Sequence, residues 1–70
     1  MINRTTGVVR WFDGSKGYGY ITAEHPAEDV FVHHSAITGK GLRLLRPGEK
    51  VEFSLEQSYR GPQAVEVVRV

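Results

Sequence analysis

Aromatic and basic side chains are concentrated in one stretch of this sequence, between residues 10 and 33. Five of the seven Phe, Trp and Tyr residues fall within positions 11–31. The flat faces of such rings can stack on unpaired nucleobases, and each stack contributes about 1–3 kcal/mol without reading the base sequence. The same stretch includes the basic residues Arg10, Lys16 and His33. This combination of residue types suits a surface that binds single-stranded nucleic acid.

Two strand candidates decide where these side chains point. Residues 18–23 and 29–34 are predicted as strands, along which successive side chains alternate between two faces. Burial of the aliphatic Ile21, Val30 and Val32 would turn the intervening side chains outward, if the two strands are neighbours. The outer face then carries Tyr18, Tyr20, Phe31 and His33.

Two other interpretations of the aromatic stretch stay open at this point. Aromatic side chains belong more often to a hydrophobic core than to a ligand surface, but that arrangement would turn Ile21, Val30 and Val32 towards solvent. An exposed aromatic patch can also be a protein–protein interface, which would make the chain an adaptor.

Period-two patterns predict that the remaining structure is also β. Residues 51–56 alternate between apolar and polar side chains, Val65 and Val67 alternate around a glutamate, and residues 7–13 form a further strand candidate. The alternation breaks at Trp11 and Phe12, which indicates a β-bulge. Five short strands protect their edges best by closing on themselves, so we expect one all-β barrel domain over the whole chain, residues 1–70.

Glycine and proline mark the predicted turns. Turns are expected at residues 13–17 and 60–63, and Pro26 is expected in the loop between the second and third strands. Residues 35–49 are predicted as a long loop that opens with one helical turn at residues 35–37.

The charge balance and the other motifs exclude several functions. Nine Lys and Arg residues against eight Asp and Glu residues give a net charge of +1, too little to grip duplex phosphates with a basic face. There is no Cys, and the adjacent His33 and His34 would point to opposite faces of a strand, so we expect no metal site. No motif indicates catalysis or a cofactor, and we expect neither an enzyme nor a small-molecule substrate.

The chain also carries no sign of a membrane or an export signal. Residues 1–7 contain no apolar signal segment. No apolar run approaches the roughly 20 residues that a membrane-spanning helix needs. We therefore expect a cytoplasmic protein, without a membrane partner, that acts as a monomer.

Five landmarks in the sequence resemble the cold-shock domain family. Residues 16–21 (KGYGYI) are similar to the first ribonucleoprotein motif of that family, and residues 30–34 (VFVHH) are similar to the second. Three further landmarks stand in the family's order and spacing: Trp11-Phe12, Ser35-Ala36-Ile37 and Gly61-Pro62-Gln63-Ala64. The resemblance covers residues 6–70, which is almost the whole chain.

The resemblance implies a five-stranded antiparallel oligonucleotide-binding (OB-fold) barrel that binds single-stranded RNA and DNA with little sequence preference. It also implies an RNA chaperone or a cold-shock regulator in a bacterial cytoplasm. His34 and Leu42 stand where Phe is common in the family, and two tyrosines replace a Phe pair, which adds hydroxyl groups. Matched position by position, the implied binding residues are Arg10, Trp11, Phe12, Lys16, Tyr18, Tyr20, Phe31, His33 and Arg60. His34, at a position that Phe usually fills, is predicted as a further binding residue.

Overall fold

A computed structural model of the chain describes residues 4–24, 27–38 and 44–70. Within these residues the strands are β1 (Arg4–Asp13), β2 (Tyr18–Glu24), β3 (Ala27–His33), β4 (Lys50–Ser58) and β5 (Gly61–Arg69), and a single 3₁₀ turn spans His34–Ala36. The strands close into a barrel in the order β1-β2-β3-β5-β4. The predicted all-β, five-stranded barrel is therefore confirmed. The expectations for Pro26 and Leu42 concern residues that lie outside the described part of the chain.

One ladder of the barrel departs from the predicted antiparallel arrangement. The other four ladders in the described part of the chain are antiparallel, but β3 and β5 meet in parallel, with Phe31 opposite Gln63. A closed ring with an odd number of strands cannot alternate direction all the way round. One parallel contact is therefore unavoidable, and here it lies beside the aromatic residues of β3.

The hydrophobic core consists of the inward-facing side chains of these strands. Ile21, Val30 and Val32 have no solvent exposure, as the alternation of β2 and β3 predicts. Phe53 from β4 is the largest fully buried side chain. Because the inner face holds these residues, the rings of β2 and β3 cannot form the core, and that interpretation of the aromatic stretch is wrong.

β3 ends one residue earlier than the sequence predicts. His34 was expected in the strand, but it begins the 3₁₀ turn, which also starts one residue earlier than expected. The Nδ1 atom of His33 accepts a hydrogen bond from the backbone N–H of Ser35 at 3.2 Å and so caps the turn. Ile37, after the turn, forms an isolated bridge with Val67 and is buried in the core.

The predicted alternation of β5 is also wrong. Val65 and Val67 were expected on one face, but Ala64 and Val67 are the buried residues and Val65 is only half-buried. Glu66 lies between them with a positive φ of 51°. The register with β4 shifts at this point, so an extra residue in β5 exchanges the two faces of the strand.

The hairpin between β4 and β5 turns earlier than the predicted residues 60–63. Tyr59 and Arg60 form the turn, and Gly61 and Pro62 already belong to β5. Gly61 has φ +105°, and a left-handed glycine directly after a short turn is a common way to restart a hairpin strand. Pro62 is tolerated because it stands near the start of its strand.

The turn between β1 and β2 lies where the sequence predicts it and fixes the start of β2. The carboxylate of Asp13 accepts hydrogen bonds from the backbone N–H groups of Ser15 (2.9 Å) and Lys16 (3.0 Å). Gly17 closes the turn with φ +79°, a conformation that favours glycine. β2 then begins at Tyr18.

Gly19 allows the backbone of β1 to cross close to β2. A Cβ atom at position 19 would lie 2.7 Å from the Cα of Phe12 and still closer to the carbonyl oxygen of Trp11. The register between β1 and β2 shifts between Val9 and Trp11, which confirms the predicted bulge. The space above Gly19 is therefore filled by the bulged backbone of β1.

We expect Gly19→Ala to lower the free energy of unfolding by about 1–3 kcal/mol, because overpacking at rigid backbone forces the two strands apart. Gly14→Ala is the matched control, since its Cβ would meet only the flexible end of Leu44, at 2.9 Å. The control is expected to change stability by less than about 1 kcal/mol. Urea unfolding of both variants measures the difference, and equal effects would contradict the close approach.

Candidate nucleic-acid interface

Four aromatic rings from three strands meet on the outside of the barrel. In the β2–β3 ladder Tyr20 lies opposite Phe31, and Tyr18 lies opposite His33. Trp11 of β1 lies opposite Tyr20 on the other side of β2. We call the rings of Trp11, Tyr18, Tyr20 and Phe31 the aromatic surface.

The rings of the aromatic surface contact one another in a closed circuit. The ring centroids of Trp11 lie 5.6 Å from those of both Tyr18 and Tyr20. Phe31 completes the circuit, 5.7 Å from Tyr18 in a stacked arrangement and 5.8 Å from Tyr20 in an edge-to-face arrangement. Such pairs stabilise each other by about 0.5–1.5 kcal/mol beyond the area they bury, so the rings are held in place before any ligand arrives.

The bulge in β1 brings Trp11 to this surface. In a regular strand Val9 and Trp11 would share one face, yet Val9 is buried and Trp11 is 39% exposed. The register shift between these two residues turns the indole outward. The other three rings are half-buried, because each packs against neighbouring rings while it stays on the outer side of the sheet.

Two unpaired cations border the aromatic surface. The guanidinium of Arg60 lies over the ring of Phe31, 6.0 Å from its centroid, and Lys16 is exposed in the turn before Tyr18. Neither makes an ion pair with any described residue. Arg10 is also exposed on this side, but its guanidinium already contacts the carboxylate of Asp29 at 2.7 Å.

The remaining basic residues of the described chain are mostly paired on other parts of the barrel. Arg4 contacts Glu52 at 3.4 Å and Lys50 contacts Glu24 at 3.9 Å. Arg69 contacts Glu49 at 2.8 Å. Although the net charge of the chain is low, the charge is unevenly distributed. Among the described residues, two cations without an ion pair lie beside the aromatic surface.

The two histidines occupy different positions at one end of the surface. His33 lies opposite Tyr18 in the β2–β3 ladder, and its Nδ1 atom lies 2.8 Å from the hydroxyl oxygen of Ser35. The ring of His34 lies 4.4 Å from that of His33, measured between centroids. A side chain at position 17 would collide with His34, so glycine there provides the space for this ring.

Phe12 faces a separate cleft rather than the aromatic surface. The cleft has a volume of about 380 Å³ and includes Phe12, Lys16, His34 and Leu44 in its lining. Phe12 also packs against the core. The residues predicted for binding thus fall into two groups. Arg60 and His33 lie with the aromatic surface, whereas Phe12, Lys16 and His34 line the neighbouring cleft.

Two residues near this site were not predicted from the sequence. Leu44 lines the cleft and is 42% exposed. Tyr59 lies in the β4–β5 turn with its ring 5.7 Å from the guanidinium of Arg60. An aromatic residue next to a predicted binding arginine was the available signal, but Tyr59 lies outside the aromatic stretch and strand alternation does not position it.

The described residues include neither a cluster suited to a metal ion nor a helix that could cross a membrane. In these parts of the chain, no group of three or more His, Cys, Asp or Glu side chains is placed to hold a metal ion. No helix of residues 4–24, 27–38 and 44–70 has the length and hydropathy that crossing a membrane requires.

Comparison with solved structures supports the barrel as an OB fold. The structure of the Drosophila protein fragment titled "Unr CSD456" superposes with a TM-score of 0.82. The match covers 99% of this chain and 27% of that longer chain. At 16% sequence identity, the likeness establishes the fold alone, a closed five-stranded barrel in the class of OB-fold domains.

Sequence comparison assigns the family. The 'Cold-shock' DNA-binding domain profile matches residues 5–70. Cold shock-like protein CspB of Yersinia pestis is 52% identical, and cold shock-like protein CspG of Escherichia coli K12 is 50% identical, each over 68 residues and 97% of both chains. The chain belongs to the cold-shock domain family. It is accordingly a nucleic-acid-binding protein and not an enzyme, and the predicted resemblance is confirmed.

We expect Phe31→Ala to weaken the binding of a single-stranded oligonucleotide by about 1–3 kcal/mol, because it removes the ring that contacts both tyrosines. Val68→Ala is the control for lost packing, since Val68 is half-buried in β5 and lines a separate cleft with Arg4 and Thr38. For both variants, the affinity is measured by titration with the oligonucleotide, and the stability is measured as the melting temperature. Equal losses of affinity at equal losses of stability would contradict a direct contact at Phe31.

Proposed function

We propose that this protein binds single-stranded RNA and DNA by stacking unpaired bases on the aromatic surface, with little preference for sequence. The observation that carries the proposal is the outward position of four mutually supported rings from three neighbouring strands. A base has the same kind of flat face whatever its identity, so stacking tolerates every sequence. The resulting complex holds bases against protein rather than against other bases.

The charge distribution supports stacking as the main source of affinity. Lys16 and Arg60 are the unpaired cations beside the rings among the described residues. Two phosphate contacts provide modest, salt-sensitive attraction, whereas several base stacks at about 1–3 kcal/mol each provide much more. The cations position the backbone, and the rings hold the bases.

The same energies distinguish single strands from duplexes. A base-pair step in a DNA duplex is stabilised by about 1.4 kcal/mol on average, which is comparable to one base–aromatic stack. Binding can therefore keep weakly paired segments open, but it cannot unwind a long duplex. This balance fits an RNA chaperone or a cold-shock regulator that prevents local pairing.

We further propose that residues 1–70 work as one domain and as a monomer in the cytoplasm. In this role the partner is the nucleic acid, with no membrane and no small-molecule substrate. The cleft beside Phe12 and His34 would receive a base adjacent to those on the aromatic surface, and its aromatic and imidazole rings offer further flat faces.

Trp11 provides a direct test, because it is the one tryptophan of the chain and lies at the aromatic surface. Titration with a short oligopyrimidine is expected to quench its fluorescence, whereas a duplex of the same length is expected to have little effect. Equal quenching by both, or none by either, would contradict the proposal. In the latter case, a protein bound through Phe31 would support the adaptor function instead.

The salt dependence of binding tests the balance between charge and stacking. With phosphate contacts from Lys16 and Arg60, the slope of log K against log[salt] is expected to be about −1.4 for a single strand. Lys16→Gln should reduce the slope to about −0.7. A wild-type slope near about −6 would show that charge, not stacking, carries the binding. Arg46→Gln is the matched control, because Arg46 makes no ion pair with any described residue and lines a different cleft with Glu49 and Arg69.

A further inference from the structure

The tip of the β4–β5 hairpin carries an aromatic side chain that the fold does not use. Tyr59 is 94% exposed, the highest exposure of any large hydrophobic residue in the described chain. Turn positions usually carry small or polar residues such as Gly, Asn, Asp or Ser. Tyr59 has no contact with the core that would explain an aromatic ring at this position.

The turn itself is stabilised without the tyrosine ring. The hydroxyl of Ser58 donates a hydrogen bond to the carbonyl of Gly61 at 2.9 Å and accepts one from the backbone N–H of Arg60 at 3.3 Å. Gly61 supplies the positive φ that restarts the strand. The backbone of the hairpin therefore presents Tyr59 to solvent independently of what its side chain does.

Arg60 connects Tyr59 to the aromatic surface. The Cζ atom of Arg60 lies 6.0 Å from the ring centroid of Phe31 and 5.7 Å from that of Tyr59. A guanidinium over an aromatic face is attracted to it, so one cation is shared by two rings. Arg60 therefore links Tyr59 to the Phe31 end of the aromatic surface.

We propose that Tyr59 forms an additional nucleobase-stacking subsite, next in line after Phe31 and separated from it by Arg60. This inference rests on the proposed binding of single strands. A strand whose base stacks on Phe31 brings a phosphate towards the unpaired guanidinium of Arg60, and the following base then meets the exposed ring of Tyr59. The ligand of this subsite is an unpaired base of either RNA or DNA, held by its flat face.

The test compares affinities for oligothymidines of about 4 to 9 nucleotides, a range that spans the usual sites of OB folds. The affinity of each protein is expected to rise with oligonucleotide length and then to level off. For the wild type it should level off at a length one nucleotide greater than for Tyr59→Ser. For the longest oligonucleotide Tyr59→Ser should bind at least about fivefold more weakly, the equivalent of one stack. For the shortest oligonucleotide the two proteins should bind equally. Tyr59→Phe is expected to retain the wild-type length dependence, and Tyr59→Leu should behave like Tyr59→Ser.

Three other results would contradict either the Tyr59 subsite or the proposed function. If the wild type binds and Tyr59→Ser matches it at every length, the subsite does not exist. If Tyr59→Ser weakens binding by the same factor at every length, Tyr59 acts only by holding Arg60, and the subsite is again contradicted. If the wild type binds no single strand, the proposed function itself fails. Melting temperatures of the variants are expected to equal that of the wild type, because the side chain is almost entirely in solvent.

Discussion

The aromatic surface depends on the burial of three aliphatic side chains on the reverse side of the same two strands. Ile21, Val30 and Val32 are completely enclosed, and this fixes which face of β2 and β3 points to solvent. A slip of one residue in the register would exchange the two faces of the slipped strand. It would bury Tyr20 or Phe31 and expose the aliphatic residues. The hydrophobic effect that stabilises the barrel therefore also selects the orientation of the rings.

Trp11, which β1 contributes to the aromatic surface, reaches it through a local departure from regular strand geometry. Val9 must face the core and Trp11 must face solvent, although the two stand in positions that a regular strand would place on one side. The bulge between them resolves this conflict, and Gly19 leaves room for the backbone that it displaces. One bulge thus serves both the core, which receives Val9, and the aromatic surface, which receives Trp11.

The contacts among the four rings and the small number of unpaired cations beside them both favour reversible binding. The four rings already contact one another in the unbound protein, so the stacking of bases that we propose would cost little side-chain entropy. Arg10, whose charge is already balanced by Asp29, adds less attraction than its position suggests. A surface that holds bases by their faces, with few phosphate contacts, is suited to reversible binding along many different sequences.

The sequence by itself determined the β class, the inward set of β2 and β3 and the outward set of rings, because period-two alternation and aliphatic burial are local properties. It also located the bulge in β1, where the pattern visibly breaks. Only the tertiary structure decided that β5 changes faces at Glu66 and that Arg10 is neutralised by Asp29. It likewise placed the rings of Tyr59 and Phe31 beside the same guanidinium, that of Arg60. These features depend on which strands become neighbours when the barrel closes. Residues far apart in the chain, such as Arg10 and Asp29 or Phe31 and Arg60, leave no periodic signal of their contact.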